Sequence, residues 1–301
     1  MQDHRGILLE SGTNELEIVE FEVGSNTFGI NVMKVREIIQ PIPITSIPNA
    51  HPHVDGIIQL RGEVLPVIDM LKVLHLSTEN RHPDEKYIVT EFNQQKVVYR
   101  VDSVSQIHRI SWEQIEKPSD LYQSHYSNVI GVIKRQDSMI LLLDYEKIVL
   151  DINPESGFSI DAVKKLGDRK RSDKRIVIAE DSPLLRKLLS DTLTEAGYTN
   201  LEFFENGKLA YDYLNKFIEE DEPIENHVQL VITDIEMPQM DGHHLTKKIK
   251  EDPNFEKLPV VIFSSLITDD LRHKGEQVGA LEQISKPEIA ELILKIDKHI
   301  L

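Results

Sequence analysis

Residues 230–242 read LVITDIEMPQMDG, a β-branched apolar run that stops on Asp234 and passes through a Pro-containing loop to Gly242. Upstream, residues 176–181 read IVIAED, a second buried-type strand ending on the acidic pair Glu180-Asp181. Downstream, the run VVIFSS delivers Ser264, and ISKP places Lys286 at the end of a further apolar run. In an open parallel sheet the carboxyl ends of the strands meet at one edge, where ligands bind. Carboxylates gathered there make a hard, all-oxygen site suited to Mg²⁺, and a metal with a lysine neutralises charge on a transferring phosphoryl group. Taken singly, Asp181 and Asp234 read as helix N-caps, Lys286 as a surface lysine and Ser264 as a turn residue. Their conjunction, in order on the strand ends of one sheet, points to chemistry.

The rhythm around this stretch supports such a sheet. From Arg175 onward strands and helices alternate: RIVIAE, then PLLRKLLSDTLTEAG with Pro183 early and Gly197 at its end. NLEFFE is followed by a predicted helix over 207–219, LVITD by one over 242–251, PVVIFSS by one over 268–278, and ALEQIS by one over 287–299. Five βα units over 175–301 predict a doubly wound α/β sheet covered on both faces. The acidic run 219–222 falls in a connection. Residues 153–174 are polar and Gly/Pro-punctuated, with Lys170-Arg171, and read as a solvated linker with one helical turn over 161–166.

Residues 15–152 have a different rhythm, with short strands, turn signals and little helix. ELEIVEFEV and NTFGINV flank Gly24-Ser25, a hairpin signature, and Pro66 in GEVLPVIDM suggests an edge or bulge position. An internal repeat runs through this half. Gly56-Ile57-Ile58, Val67-Ile68-Asp69 and Lys72-Val73-Leu74 recur at the same spacing as Gly131-Val132-Ile133, Leu142-Leu143-Asp144 and Lys147-Ile148-Val149. Each copy reads as strand, turn, strand and a short helix capped by the Asp. A weaker echo pairs Phe28, Ile30, Val32, Val35 and Ile38 with Val97, Tyr99, Val101, Val104 and Ile107. Two copies of one small β-barrel are the expectation.

Composition narrows the classes. Formal net charge is −17, from 51 acidic and 34 basic residues, which argues against nucleic acid as main partner. Cysteine is absent, excluding disulfides, thiolate metal sites and a cysteine nucleophile. No apolar stretch approaches the roughly 20 residues of a membrane span, and the first residues lack a secretory core. The expectation is a cytoplasmic protein without direct membrane insertion. His51, His53, His243 and His244 form no helical metal box and read as surface residues.

Residues 175–301, through TDIEMPQMDG and SKP, resemble the receiver domain of two-component response regulators. The resemblance implies a flavodoxin-like sheet and phosphorylation of Asp234 by a histidine kinase. Glu180, Asp181, Asp234 and the backbone carbonyl of Glu236 would hold Mg²⁺, Ser264 and Lys286 would stabilise the phosphoryl group, and Pro287 would follow a cis peptide. Receivers usually carry Tyr or Phe where Gln283 stands, which puts the usual aromatic switch in doubt. The chain ends at Leu301, about where the last receiver helix should finish, so no further output domain is expected.

Residues 15–152, through NTFGINVMKVREII and GIIQLRGEVLPVIDM, resemble the CheW-like coupling domain of bacterial chemotaxis proteins. That family is built of two intertwined SH3-like barrels. The resemblance implies a partner-binding surface at Val35, Glu37, Ile57 and Arg61, for methyl-accepting chemoreceptors and the chemotaxis histidine kinase, with recruitment to membrane receptor arrays. Val35 and Ile57 also suit barrel core, and Arg61 a plain turn arginine. No catalytic residue is assigned. The leading expectation is a signalling adaptor tuned by phosphorylation at Asp234 in adaptation. The alternatives are a phosphate sink draining the kinase and a Mg²⁺-dependent phosphatase. Against the last, the residue two beyond Asp234 is Glu236 rather than a second Asp, and about 127 residues leave little room for a substrate cap.

Overall fold

A computed structural model describes residues 14–77, 82–117, 128–154, 163, 165–167, 171–220 and 223–301. The strand-rich residues form one compact unit within 17–157, and a second unit is built on 158–301. In the first, alternating apolar positions make β1 (Glu15–Val23) and β2 (Asn26–Asn31) an antiparallel hairpin that turns at Gly24, whose φ of 62° suits a residue without Cβ. β3 (Val35–Ile39), β4 (Val54–Leu60), β5 (Glu63–Asp69) and α1 (Met70–Val73) follow. The second copy comprises β6 (Lys86–Phe92), β7 (Gln95–Val101), β8 (Ser103–Ser111), β9 (Ile115–Glu116), β10 (Val129–Lys134), β11 (Met139–Leu143) and α2 (Tyr145–Ile152).

The copies are interleaved. Sheet orders are β8-β1-β2-β11-β10-β9 and β3-β6-β7-β5-β4, so each copy's leading hairpin joins the other copy's sheet. β2 runs parallel to β11, and β7 runs parallel to β5 at the corresponding place. The repeat read from Gly56 and Gly131 is therefore structural. Both glycines sit at a register shift in their hairpins, where a Cβ would meet Thr45 O at 2.3 Å and Ile115 Cγ2 at 2.4 Å respectively. Asp69 caps α1 by accepting from Leu71 N, and Asp144 caps α2 by accepting from Lys147 N. Pro66 lies inside the sheet order, yet β5 pairs with β7 only over Val67–Asp69, so its missing N–H removes no ladder bond there.

In the second unit β12 (Ile176–Ala179), β13 (Leu201–Phe204), β14 (Leu230–Thr233), β15 (Val260–Ser264) and β16 (Glu282–Ser285) pair in parallel, in the order β13-β12-β14-β15-β16. The helices are α3 (Pro183–Glu195), α4 (Gly207–Leu214), α5 (Gly242–Glu251), α6 (Asp269–Gln277) and α7 (Ile289–Ile300). Leu189 and Leu193 of α3 with Leu292, Ile293 and Ile296 of α7 bury one face of the sheet. Ala210 and Leu214 of α4 with Leu245 and Ile249 of α5 bury the other. Every residue of β12 and β14 is consequently buried, as continuous apolar runs require.

Local details follow from side-chain chemistry. Ser182 caps α3 ahead of Pro183, and Gly197, with φ of 99°, lets the chain leave the helix. The helix expected over 207–219 is α-helical only to Leu214 and continues as a 3₁₀ turn over Asn215–Glu220, a common way for a helix to tighten at its end. Packed structure also begins inside the segment read as linker. Val163, three residues before Leu166 and on the same side of a helical turn, is 2% exposed in the core beneath α3 and α7. Residues 161, 162 and 164 of the turn expected over 161–166, together with Lys170 and residues 221–222 of the acidic run, lie outside the described residues. Among the described residues no helix is long and apolar enough to cross a membrane.

His243, read as a surface residue, is 5% exposed. It follows the cap of α5 on the inward face, where burial lowers its pKa to about 4. The cap itself, Asp241, accepts from His244 N at 2.7 Å, but burial outweighs that bond and raises its carboxyl to about 6. The two groups act oppositely on stability. Asp241 binds its proton more tightly when folded, so its contribution is lost as pH rises from about 4 to 6. His243 sheds its proton on folding, so its contribution grows as pH rises from about 4 to 6.5. Denaturant unfolding of Asp241→Asn between pH 4 and 6 should therefore show stability rising with pH relative to the parent, and His243→Leu should show it falling. Each difference should amount to roughly 3 kcal/mol across the window. Parental slopes in both variants would contradict the burial effect.

Candidate functional site

The chain order reverses between β12 and β14: the loop after β12 leads to β13 on one side, and that after β14 leads toward β15 on the other. Such a reversal opens a crevice at the strand carboxyl ends. Glu180 and Asp181 enter it directly after β12, and Asp234 directly after β14. Glu180 and Asp234 are 1% and 4% exposed, Asp181 is half-buried, and oxygens of the three carboxylates lie within 4.8 Å of one another. Two unit charges about 4 Å apart repel by roughly 4 kcal/mol even at an effective dielectric constant of 20. A cation placed among them offsets that repulsion.

Lys286 supplies one. Its backbone N–H donates to Ser264 O at 2.9 Å, holding the residue at the end of β16, and a cis peptide joins it to Pro287. From there Nζ donates to Glu180 Oε2 at 2.7 Å and to Asp234 Oδ2 at 2.9 Å, with the lysine side chain 1% exposed. Glu180 Oε1 accepts from Ser182 N at 3.2 Å, and Asp234 Oδ1 accepts from Ile235 N at 2.6 Å. One ammonium against three carboxylates leaves an excess of negative charge. The donor set is all oxygen, and the carboxylates are spaced much like oxygens on one small divalent ion, which stand roughly 3–4 Å apart when each is 2.0–2.1 Å from the metal. Mg²⁺ fits, with Glu180, Asp181 and Asp234 as holders.

The loop after Asp234 turns back sharply. Gly242 N donates to Ile235 O at 2.9 Å, and a Cβ at Gly242 would lie 1.9 Å from Asp234 O, so no side chain is admissible. Glu236 is half-buried in this loop. Ser264, fully buried at the end of β15, accepts from Leu266 N through Oγ at 3.3 Å. Sequence reasoning missed Arg186, whose Nη1 donates to Glu180 O at 2.6 Å and to Asp181 O at 2.8 Å. Its signal was present: helical side chains lean toward the N-terminus, which directs a residue in the early turns of α3 back toward the acidic loop. Where an inward-swinging aromatic is usual, the Gln283 amide donates through Nε2 to Arg272 O at 2.8 Å. A Cβ at Gly275 of α6 would lie 2.2 Å from Gln283 Oε1, so the amide fills the space beneath that helix.

In the strand-rich unit, Arg61 and Gly62 turn the β4–β5 hairpin with φ of 49° and 89°. Arg61 Nη2 reaches Glu37 Oε2 of β3 at 2.8 Å, although β3 and β4 are opposite edges of their sheet. The sheet has curled toward a barrel. The pair rims a groove of about 320 Å³ with an apolar floor of Leu60, Leu65 and Val89, and further ion pairs Arg36–Glu91 and Lys96–Glu63 border it. Val35 and Ile57 are half-buried, neither fully in the core nor free of it.

With this geometry in view, residues 17–153 match the family model "CheW-like domain" and residues 176–297 match "Response regulator receiver domain". Chemotaxis protein CheW of Rhizobium meliloti is 32% identical over 133 residues, covering 44% of this chain and 86% of that protein. The chain belongs to the CheW-like family and carries a receiver domain. Chemotaxis protein CheV3 of Helicobacter pylori matches both halves in the same order, at 29% identity over 303 residues, covering 95% of this chain and 94% of that protein. Among solved structures, the scaffolding protein TtCheW from Thermoanaerobacter tengcongensis is 30% identical and covers 43% of this chain and 88% of its own, with a TM-score of 0.41.

The charge balance of the receiver pocket has a measurable consequence. Lys286→Met leaves Glu180 and Asp234 buried without their ammonium, and loss of one partner of a buried pair costs roughly 3–5 kcal/mol. Denaturant unfolding of the variant without divalent cations should show a loss of that order, shrinking when Mg²⁺ is added. A stability equal to the parent in metal-free buffer would contradict the assigned ion pairs.

Proposed function

We propose that this chain is a cytoplasmic chemotaxis adaptor. Its CheW-like half couples methyl-accepting chemoreceptors to their histidine kinase in membrane arrays, and its receiver adjusts that coupling in adaptation when Asp234 is phosphorylated. The observation that carries this reading is the placement of Asp234, at the switch point of a parallel sheet between an acidic pair and a buried lysine, in a chain whose other half is CheW-like. A carboxylate oxygen of Asp234 forms the new O–P bond as the P–N bond of the kinase's phosphohistidine breaks, and the released imidazole nitrogen takes up a proton. Lys286 moves from carboxylate to phosphoryl oxygen, and the Ser264 hydroxyl donates to another. Bound Mg²⁺, held by Glu180, Asp181, Asp234 and the carbonyl of Glu236, would neutralise charge on the phosphoryl oxygens. The backbone N–H of Ile235 already fixes Asp234 for attack.

No turnover of an external ester is needed for this role, and the chain acts on its own Asp234 only. Asp234→Asn should abolish labelling by the phosphorylated kinase, because an amide is a poor nucleophile. Undiminished, acid-stable labelling of that variant would move the phosphoryl group to another residue and defeat the assignment.

The groove framed by Glu37 and Arg61 supports the coupling half of the proposal, joining an apolar floor to a charged rim. The Arg61 side chain is 78% exposed, and exposed ion pairs contribute only about 0–1 kcal/mol. Arg61→Glu should therefore leave the thermal unfolding of the protein almost unchanged while weakening its capture by receptor–kinase arrays. Capture equal to the parent's would exclude this rim from the interface.

A further inference from the structure

We propose that Arg186 is a positioning residue for the receiver's acidic pair: it holds the peptide planes of Glu180 and Asp181 so that their carboxylates face one cation. The proposal rests on reading the Asp234 pocket as a Mg²⁺-dependent phosphoacceptor site. The geometry is specific. One nitrogen, Nη1, donates to Glu180 O at 2.6 Å and to Asp181 O at 2.8 Å, so a single rigid guanidinium clamps two successive carbonyls. Those carbonyls lie in the irregular stretch between β12 and α3, where neither ladder nor helix holds them. With both turned toward Arg186, the side chains of Glu180 and Asp181 are committed to the pocket. There Glu180 also meets Ser182 N and Lys286.

Local helix energetics do not explain an arginine at this place. Cations are disfavoured near a helix N-terminus, where the peptide dipoles concentrate positive charge, and Arg186 N donates to Ser182 O within the first turn of α3. The side chain leans back toward that terminus and finds the two carbonyls and the acidic pair beyond them. Groups that orient metal ligands from behind typically change metal affinity by roughly 10–100-fold when removed. The direction of the effect discriminates. If Arg186 were only a nearby positive charge, its removal would strengthen binding of a divalent cation. If it positions the ligands, removal weakens binding.

Isothermal titration of the full-length protein with Mg²⁺ alone tests this, with Asp234→Asn as the reference for cations bound elsewhere on an acidic chain. Arg186→Met should bind Mg²⁺ roughly 10–100-fold more weakly than the parent, with a similar melting temperature, and Arg186→Lys should fall between the two. Equal or tighter binding by Arg186→Met overturns the proposal. If that variant does not fold, Arg186→Gln decides: it removes the charge and shortens the side chain away from the two carbonyls, and parental or tighter affinity overturns the proposal. A parent that takes up no more Mg²⁺ than Asp234→Asn overturns the phosphoacceptor reading itself, and Arg186's role with it.

Discussion

The receiver half depends on one ammonium. Three carboxylates converge on the sheet edge, two of them buried, and a cation placed among them offsets their mutual repulsion. Lys286 does so by bridging Glu180 and Asp234, residues contributed by two adjacent strands, from a third strand end two places away in the sheet. The parallel register of β12, β14, β15 and β16 brings those ends level, and the cores on both faces hold that register. Chemistry and fold are thus tied: the pocket needs the sheet's alignment, and the sheet edge needs the pocket's charge balance.

Much of this pocket was legible in the sequence. Buried parallel strands are continuous apolar runs, so the first polar residue after each run marks a strand end, and β12, β14, β15 and β16 all stop close to the expected place. Strand order was less accessible from patterning and rested on the resemblance. What escaped were pairings between a side chain and remote backbone. Its place in the early turns of α3 directs Arg186 back toward the acidic loop, but only the path of the Glu180–Asp181 loop reveals which carbonyls it meets. His243 escaped for the opposite reason. Two consecutive histidines suggest a wet surface, but residue 243 faces inward at the start of α5, where burial depresses its pKa.

In the CheW-like half the repeat was readable because both copies keep a glycine at a bulge and an aspartate at a helix cap. Exchange of hairpins between sheets was not readable from local sequence, since each hairpin presents the same alternation to either sheet. Its consequence is mechanical as well as topological. Neither sheet is complete without strands from both copies, so a disturbance in one copy reaches the other's core directly. The Glu37–Arg61 pair lies where one of these sheets curls upon itself, on a rim that contributes little to folding and is therefore free to serve recognition.

The most direct test of the central claim is the activity of the histidine kinase in reconstituted receptor arrays, coupled either by this protein or by its Asp234→Ala variant, with and without beryllofluoride as a phosphoryl mimic. Both proteins should couple the kinase to receptors, and beryllofluoride should change kinase activity only with the parent. Identical responses from the two proteins, or no coupling by the parent, would contradict that claim.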